Sequence, residues 1–152
     1  MKKVGVISDT HGLMRPEALR ALRGSDLILH AGDIGAPSVL TALENIAPVK
    51  AIRGNNDTDA WARRLPKTLD LRIEHTDIHM VHSVHDLGPD TPGTANVVVS
   101  GHSHRPGIER RDEVLYLNPG SAGPRRFKLP VAVAILTIDD AQTRARIIEL
   151  KL

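Results

Sequence analysis

At 152 residues the chain fits one domain of common size, long enough to bury about two-thirds of the surface that its unfolded form exposes. It contains no cysteine, which excludes disulfides and thiolate metal sites, so any metal ion must take nitrogen and oxygen ligands. The formal net charge is only +2, with basic residues interspersed among 18 acidic ones, which gives weak support for a nucleic-acid partner.

The first third of the chain alternates between short apolar runs and segments of helical spacing. Apolar runs rich in β-forming residues cover Val4–Ile7, Leu27–Leu29 and Val49–Ile52. Between them, Pro16–Leu22 and Pro37–Leu43 place apolar residues on one helical face, with proline where a first helical turn tolerates it. This order predicts a parallel sheet whose strands are joined by helices.

The later part of the chain has a different pattern. Two more apolar runs, Ile78–Val81 and Val97–Val99, predict buried strands, and residues 86–96 indicate an irregular loop. Residues 69–81 first alternate apolar with polar residues and then become apolar, and residues 131–150 give a strong hairpin signal. The sequence thus predicts a mixed α/β layered domain with an antiparallel part.

Each of the five apolar runs is followed at once by residue types that bind metals. In open α/β sheets, ligands bind outside the carboxyl ends of the strands, so these side chains are expected to converge on one crevice. In the two short motifs DTH and HSH, a spacing of two residues would send both side chains of an extended segment to the same face. The candidate ligands are Asp9, His11, Asp33, Asn55, His82, His102 and His104.

This set of nitrogen and oxygen donors is larger than one tetrahedral site uses. It predicts two ions about 3.5–4 Å apart that share a carboxylate, and Asp33 is the natural bridge. Gly12, Gly32, Gly54 and Gly101 lie beside the candidate ligands and would permit the tight turns that such a centre requires.

A structural role is the alternative for each of these residues taken alone. A single His or Asp at the end of a strand is usually a turn former or a cap. Five coincidences in one chain favour a site, whereas His30, His75, His79 and His85 keep structural assignments. We interpret His30 as a core residue or a support for the site, and His75 as part of a turn.

The motifs DTHG (9–12), GDIG (32–35), GNND (54–57) and GHSH (101–104), with His82 and a later NPGS (118–121), resemble those of the calcineurin-like metallophosphoesterases. The likeness is to their small single-domain phosphodiesterase branch and covers nearly the whole chain. It implies one metallophosphoesterase domain over residues 1–152, folded as a two-sheet mixed β-sandwich flanked by helices.

The resemblance also implies how the candidate ligands are shared between two ions. The first position would be formed by Asp9, His11, Asp33 and His104. The second position would be formed by Asp33, Asn55, His82 and His102. Mn²⁺ is the preferred expectation, with Fe²⁺, Ni²⁺ or Zn²⁺ as alternatives. Asn118 and Ser121 would support the site.

Three departures from the family pattern refine these expectations. The segment GDIGAP lacks the acid-assisting Asp of the larger phosphatases, which disfavours a phosphoprotein phosphatase. Asn56 stands where His or Cys is common, and an amide cannot act as a general acid. The family's HGH appears here as HSVH, which leaves His82 and His85 as alternative ligands; His82 is preferred because it follows the strand directly.

The expected reaction is therefore hydrolysis of a small phosphodiester by a metal-bridging hydroxide, with catalytic roles for Asp33, Asn55 and Asn56. Arg53, Arg105 and Arg125 could contact phosphate or could be plain surface charges.

Two other functions remain as alternatives. One is a non-catalytic metal-binding scaffold on the same fold, like a retromer subunit that shares the resemblance, and the other is a nuclease acting on polymeric nucleic acid. The mild charge disfavours a nucleic-acid partner. No segment has the length of a signal peptide or a membrane span, so we expect a cytoplasmic protein without a membrane partner. A homo-oligomer is left open.

Overall fold

Two five-stranded sheets form the protein, and the computed structural model describes all 152 residues. The strands are β1 (Lys2–Ile7), β2 (Leu27–His30), β3 (Val49–Ala51), β4 (Thr68–Ile73), β5 (Thr76–Val81), β6 (Val97–Val99), β7 (Gly107–Arg111), β8 (Val114–Asn118), β9 (Ala132–Asp139) and β10 (Gln142–Glu149). The helices are α1 (Pro16–Leu22) and α2 (Pro37–Glu44), with short 3₁₀ turns at Ala62–Arg64 and Val84–Asp86.

The first sheet has the strand order β10, β9, β1, β2, β3. Strands β1, β2 and β3 are parallel, while β9 pairs antiparallel with β1 and forms a hairpin with β10. Each crossover helix begins with a proline, Pro16 in α1 and Pro37 in α2, as the sequence predicted. The predicted parallel strands, helices and C-terminal hairpin are confirmed.

The second sheet has the order β4, β5, β6, β8, β7. Strands β4 and β5 form an antiparallel hairpin, β5, β6 and β8 are parallel, and β7 pairs antiparallel with β8. The sequence did not predict the β7–β8 hairpin. Every residue of β7 is exposed at the edge of the sheet, so this strand carries no apolar run that a pattern could detect.

Aliphatic side chains fill two layers of core. One buried cluster lies between the two sheets and includes Val6, Met80 and Leu136. A second cluster packs α1 and α2 against the outer face of the first sheet, with Leu22 and Leu43 at its centre. The fold is therefore the two-sheet mixed sandwich flanked by helices that the sequence predicted. None of its helices is both long and apolar enough to cross a membrane.

The candidate ligands lie at one edge of the sandwich because the parallel strands of both sheets end there. Backbone hydrogen bonds tie the loops to one another: Asp9 N donates to Gly32 O (3.0 Å) and His11 N donates to Asp33 O (2.9 Å). In the second sheet, Gly101 N donates to His82 O (2.9 Å). Backbone contacts alone therefore fix these loops relative to one another.

Candidate metal centre

The loops bring the predicted ligand residues into one cluster, but to different depths. Asp9, Asp33, His82 and His104 are 0, 3, 6 and 4% exposed. The remaining three differ, since His11 is half-buried and both Asn55 and His102 are exposed. Such burial of carboxylates and imidazoles is unusual unless they are paired or bind an ion.

Three side chains of the first position surround a space of the size of an ion. His104 Nε2 lies 3.4 Å from Asp9 Oδ1, His11 Nε2 lies 3.8 Å from the same oxygen, and the two nitrogens are 3.4 Å apart. A triangle with these sides has its centre about 2 Å from each corner, which is the length of a metal bond to His nitrogen or carboxylate oxygen. The donors therefore fit a divalent ion.

The second position opens from the buried interior towards solvent. His82 Nε2 lies 3.2 Å from Asp33 Oδ2 inside the protein. The ring of His102 packs edge to face against that of His82 at 5.2 Å, and its Nδ1 lies 3.2 Å from Asn55 Oδ1. The four residues thus form a continuous row from Asp33 to Asn55.

Three buried atoms of the cluster lack hydrogen-bond partners: Asp9 Oδ1, His82 Nε2 and His104 Nδ1. Asp9 Oδ2 accepts hydrogen bonds from Ser8 Oγ (2.7 Å) and the backbone N of His102 (3.0 Å), whereas Asp9 Oδ1 accepts none. His82 Nδ1 donates to Ala31 O (2.7 Å), which leaves the lone pair on Nε2, and that nitrogen also has no hydrogen-bond partner. A buried carboxylate oxygen and a buried imidazole lone pair are the donors that a cation would satisfy.

Both carboxylates lie between the two positions. Asp33 Oδ2 is 3.2 Å from His82 Nε2 and 3.8 Å from His11 Nε2. Asp9 Oδ1 is 3.4 Å from His104 Nε2 and 3.9 Å from His82 Nε2. The sequence singled out Asp33 alone as a bridge, because periodicity cannot tell which oxygen of which carboxylate reaches both groups.

The backbone of the two short motifs differs from the sequence expectation. We expected extended segments, but Asp9, His11, His102 and His104 have φ of 55°, 47°, 72° and 61°, and Asp33 has φ of 55°. These residues sit in left-handed turns, so tight turns and not strand alternation bring the side chains together. Non-glycine residues in this conformation are strained and concentrate at functional sites.

The glycines beside the ligands allow the close approach that was predicted. A Cβ at Gly54 would overlap the backbone and side chain of Asp33, and one at Gly101 would overlap Ser8 Oγ. Any larger residue at either place would displace the carboxylate that the loop surrounds.

Asp57 holds two of the loops together, a role that the sequence did not reveal. This buried side chain accepts hydrogen bonds from the backbone N of Gly54 (2.9 Å), Ile34 (3.1 Å) and Gly35 (3.1 Å). It therefore fixes the loop after β2 against the loop after β3. Asp57 belongs to the motif GNND, which marked it as a residue of interest. A carboxylate in a turn can have several structural roles, however, and the motif did not indicate that Asp57 links two loops.

Asn56 also differs from its expected role. We predicted a catalytic role for it; in the structure its backbone N donates to Asp33 Oδ1 (2.9 Å) and its side-chain Nδ2 donates to Asp33 Oδ2 (3.1 Å). The reason is the turn after β3, which folds Asn56 back over the carboxylate. Asn56 therefore positions Asp33.

His30 and Asn118 support the site from behind. His30 is fully buried; its Nδ1 accepts from Gly32 N (3.1 Å), and its Nε2 donates to Thr10 Oγ1 (3.0 Å). Asn118 Nδ2 donates to Gly101 O (3.0 Å), and Ser121 Oγ donates to Asp9 O (3.1 Å). These bonds give His30, Asn118 and Ser121 the supporting contacts that were expected of them.

The remaining predicted residues lie in the cluster, in a neighbouring cleft or on the surface. His82 lies within it, whereas His85 lies in the exposed 3₁₀ turn that follows and lines a neighbouring cleft. Arg53 lines the same cleft, whereas Arg105 and Arg125 are exposed and do not.

The comparisons with known proteins agree with this geometry. The family model of the calcineurin-like phosphoesterase superfamily domain matches residues 1–141. The chain belongs to this superfamily. A probable metallophosphoesterase of Methanothermobacter thermautotrophicus is 38% identical over 95% of this chain and 91% of its own length.

Two further similarities bear on function and on fold. Phosphodiesterase YfcE of Escherichia coli K12 is 29% identical over 91% of this chain and 89% of its own length. The crystal structure of Vps29 from Chaetomium thermophilum has a TM-score of 0.76 at 16% identity, covering 99% of this chain and 97% of that chain. The second similarity shows a shared fold alone.

Electrostatics in this phosphoesterase domain favour a charged Asp33 and a neutral His104, whereas they raise the pKa of His82. Burial acts to raise the pKa of Asp33, but the neighbouring His82 and the backbone N of Asn56 lower it to about 2. Burial lowers the pKa of His104, helped by the charge of Arg126, so this ring is neutral at neutral pH. For His82, burial acts to lower the pKa, but Asp33 and the Ala31 carbonyl raise it overall. An ionised Asp33 beside a neutral His104 is the state in which both can bind a metal.

Proposed function

We propose that the protein is a dinuclear metal-dependent phosphoesterase that hydrolyses small phosphodiesters. The observation that carries the proposal is that buried donor atoms without hydrogen-bond partners, among them Asp9 Oδ1 and His82 Nε2, lie inside a cluster of nitrogen and oxygen donors. Membership of a phosphoesterase superfamily supports the reaction class, and the relative named as a phosphodiesterase supports the diester.

The ligand sets proposed are those of the first and second positions. Two divalent cations, when bound, lower the pKa of water and neutralise charge on a phosphoryl group. The set of nitrogen and oxygen donors without thiolate suits Mn²⁺, with Fe²⁺, Ni²⁺ and Zn²⁺ as alternatives. The protein contributes prepared geometry: Ser8 orients Asp9, Ala31 fixes the tautomer of His82, and Asn56 orients Asp33.

No side chain at position 56 is available to protonate a leaving group, because the amide of Asn56 is bound to Asp33. The departing oxygen must then carry most of its own negative charge. We expect aryl diesters to be cleaved at least about 10²-fold faster than dialkyl diesters, since a general acid normally contributes 10²–10⁴-fold.

The test is metal analysis of the purified protein followed by assays with phosphomonoesters and with aryl and alkyl phosphodiesters after loading with Mn²⁺. Two ions per chain and preferred cleavage of aryl diesters support the proposal. Binding of metal without cleavage of any ester would instead identify a scaffold. A rate that does not depend on leaving-group pKa, with chemistry rate-limiting, would point to another proton donor, and His85 in the adjacent cleft would be the first candidate.

A further inference from the structure

A polar cleft of about 950 Å³ opens beside the second position. Asn55, His82 and His102 belong both to its wall and to the candidate metal centre. Val81 is the one hydrophobic residue among the 14 that line it. A substrate held at the second position would therefore extend into a cleft lined almost entirely by polar and charged residues.

Three cationic side chains line this cleft: Arg53, Arg63 and Lys67. None of them has a carboxylate within the 4.0 Å of an ion pair. Arg53 Nε is buried and has no hydrogen-bond partner. A buried guanidinium donor without an acceptor is costly, and no carboxylate offsets the positive charge of Arg53, so an anion bound in the cleft would stabilise this side chain electrostatically.

Backbone bonds hold these cations in place relative to the candidate metal centre. Arg53 N donates to Pro66 O (2.9 Å), which fixes the loop after β3 against the residue preceding Lys67. Arg63 N donates to Asp59 O (3.1 Å), and its Nε donates to Thr58 O (3.1 Å). The guanidinium of Arg63 is thereby anchored while its terminal nitrogens remain available.

The acidic residues of the cleft do not neutralise this charge. Asp57 is occupied by three backbone N–H groups. Asp86 is exposed and forms no ion pair. A compact anion with several acceptor oxygens matches a cleft that two guanidinium groups and an ammonium group line together.

We propose that this cleft binds a second phosphate group of the substrate, attached to the same molecule as the phosphodiester that is cleaved. The substrate class is thus a phosphodiester with a terminal phosphate monoester, such as a nucleotide derivative phosphorylated at both 3′ and 5′ oxygens. The inference rests on the proposed phosphodiesterase function. A polymer would require phosphate contacts along a longer basic track, whereas these three cations surround one cleft.

The experiment compares two substrates that differ by one phosphate: thymidine 5′-(4-nitrophenyl phosphate) and the same compound carrying a 3′-phosphate. We expect the Mn²⁺-loaded protein to show a kcat/KM about 10- to 100-fold higher for the doubly phosphorylated substrate, the range of a hydrogen-bonded contact to a charged group. The double variant Arg63→Gln/Lys67→Gln should reduce this ratio to within about threefold of unity, because Arg53 alone then faces the phosphate.

A matched control is Arg64→Gln/Lys151→Gln, which removes the same charge from exposed residues that do not line the cleft. It should keep the wild-type ratio. Equal kcat/KM for both substrates in the wild type overturns the inference while leaving the phosphodiesterase function intact. An equal fall of the ratio in both double variants overturns it as well, because overall charge would then explain the preference. Cleavage of neither substrate overturns the proposed function and this inference with it.

Discussion

The first and second positions of the candidate centre differ in their exposure. Three residues of the first position, Asp9, Asp33 and His104, are buried, and only His11 has partial access to solvent. The second position shares Asp33 and the buried His82 but is completed by two exposed residues. Its outer wall continues into the basic cleft.

This difference arises within single loops. His102 and His104 are one residue apart, both in left-handed turns, yet His102 is exposed and His104 is 4% exposed. The backbone of His102 donates to Asp9 while its ring reaches Asn55. One turn thus places a buried histidine at the first position and an exposed histidine at the second, which opens into the cleft. We infer that the first position binds its ion more tightly and the second exchanges more readily.

Replacement of the shared carboxylate of Asp33 should impair metal binding at both positions. In Asp33→Asn the negative charge common to both positions is lost, although the side chain keeps its shape. We expect kcat/KM for an aryl diester to fall by about 10³-fold or more, since charge stabilisation by a bound cation contributes several kcal/mol. Metal content, measured by plasma mass spectrometry, should fall below two ions per chain.

The control for this variant is Asp59→Asn, which removes an exposed carboxylate that makes no ion pair. It should behave as the wild type. Retention of two ions and full activity by Asp33→Asn would refute the shared-carboxylate assignment.

Two histidines of one turn can separate the positions experimentally. His104→Ala should weaken the tighter of two Mn²⁺ binding steps, and His102→Ala the weaker one. We expect each affinity to fall by at least about 10²-fold, because replacing a residue that only supports a metal ligand already costs up to about that much. Calorimetric titration of the chelator-treated protein measures both steps. If the two variants weaken the same step, the division of ligands between the positions is wrong.

The buried side of the centre should also respond to pH. Burial, together with the charges of His82 and His11, lowers the pKa of His30 from 6.5 to about 3. The unfolded chain therefore binds more protons than the native one between these values, so stability is fully present above pH 6.5 and falls as the pH falls towards 3. Between pH 7 and pH 5 this residue alone should reduce the free energy of unfolding by about 2 kcal/mol.

Urea unfolding of metal-free protein at both pH values checks this expectation. His30→Gln removes the titrating group, so its loss of stability between pH 7 and pH 5 should be smaller than that of the wild type by the same amount. His82 acts in the opposite direction, because its raised pKa gives stability that is lost as the pH rises. The charge of His82 also helps to lower the pKa of His30, so the difference between the two proteins measures His30 together with its interaction with His82. An identical pH dependence in the two proteins would assign the effect to other groups.

The sequence predicted the arrangement of strands and the identity of the clustered residues for a physical reason. Buried strands need continuous apolar runs, and parallel strands bring their carboxyl ends to one edge, so residues after the runs had to meet. The motifs therefore located Asp9, Asp33 and His82 before any contact was known. The exposed strand β7 carried no such run and escaped the prediction, and its partner β8, in which buried and half-buried residues alternate, was missed with it.

What the sequence could not supply was the direction of individual side chains. Alternation in an extended segment predicted that His102 and His104 face the same way, but left-handed turns orient them, and His102 is exposed whereas His104 is buried. The sequence identified Asp57 only as a polar residue of a turn, and its three hydrogen bonds to backbone N–H groups could not be predicted. The two hydrogen bonds of Asn56 to Asp33 were likewise not predicted. Side-chain roles at turns depend on φ and on contacts distant in sequence, which a local pattern does not encode.

The smallest expected effect comes from Asn56, and comparison with its neighbour makes it informative. In Asn56→Ala the bond from Nδ2 to Asp33 Oδ2 is lost, but the bond from the backbone N to Asp33 Oδ1 remains. Loss of one such bond costs about 1 kcal/mol, so kcat/KM should fall by about fivefold while two ions are retained.

Asn55→Ala removes a ligand of the second position and should lose the weaker ion at moderate Mn²⁺ concentration. Loss of an ion from both variants would make Asn56 a ligand. If kcat/KM of Asn56→Ala fell by more than about 10²-fold, and only for substrates with poor leaving groups, Asn56 would contact the leaving group directly.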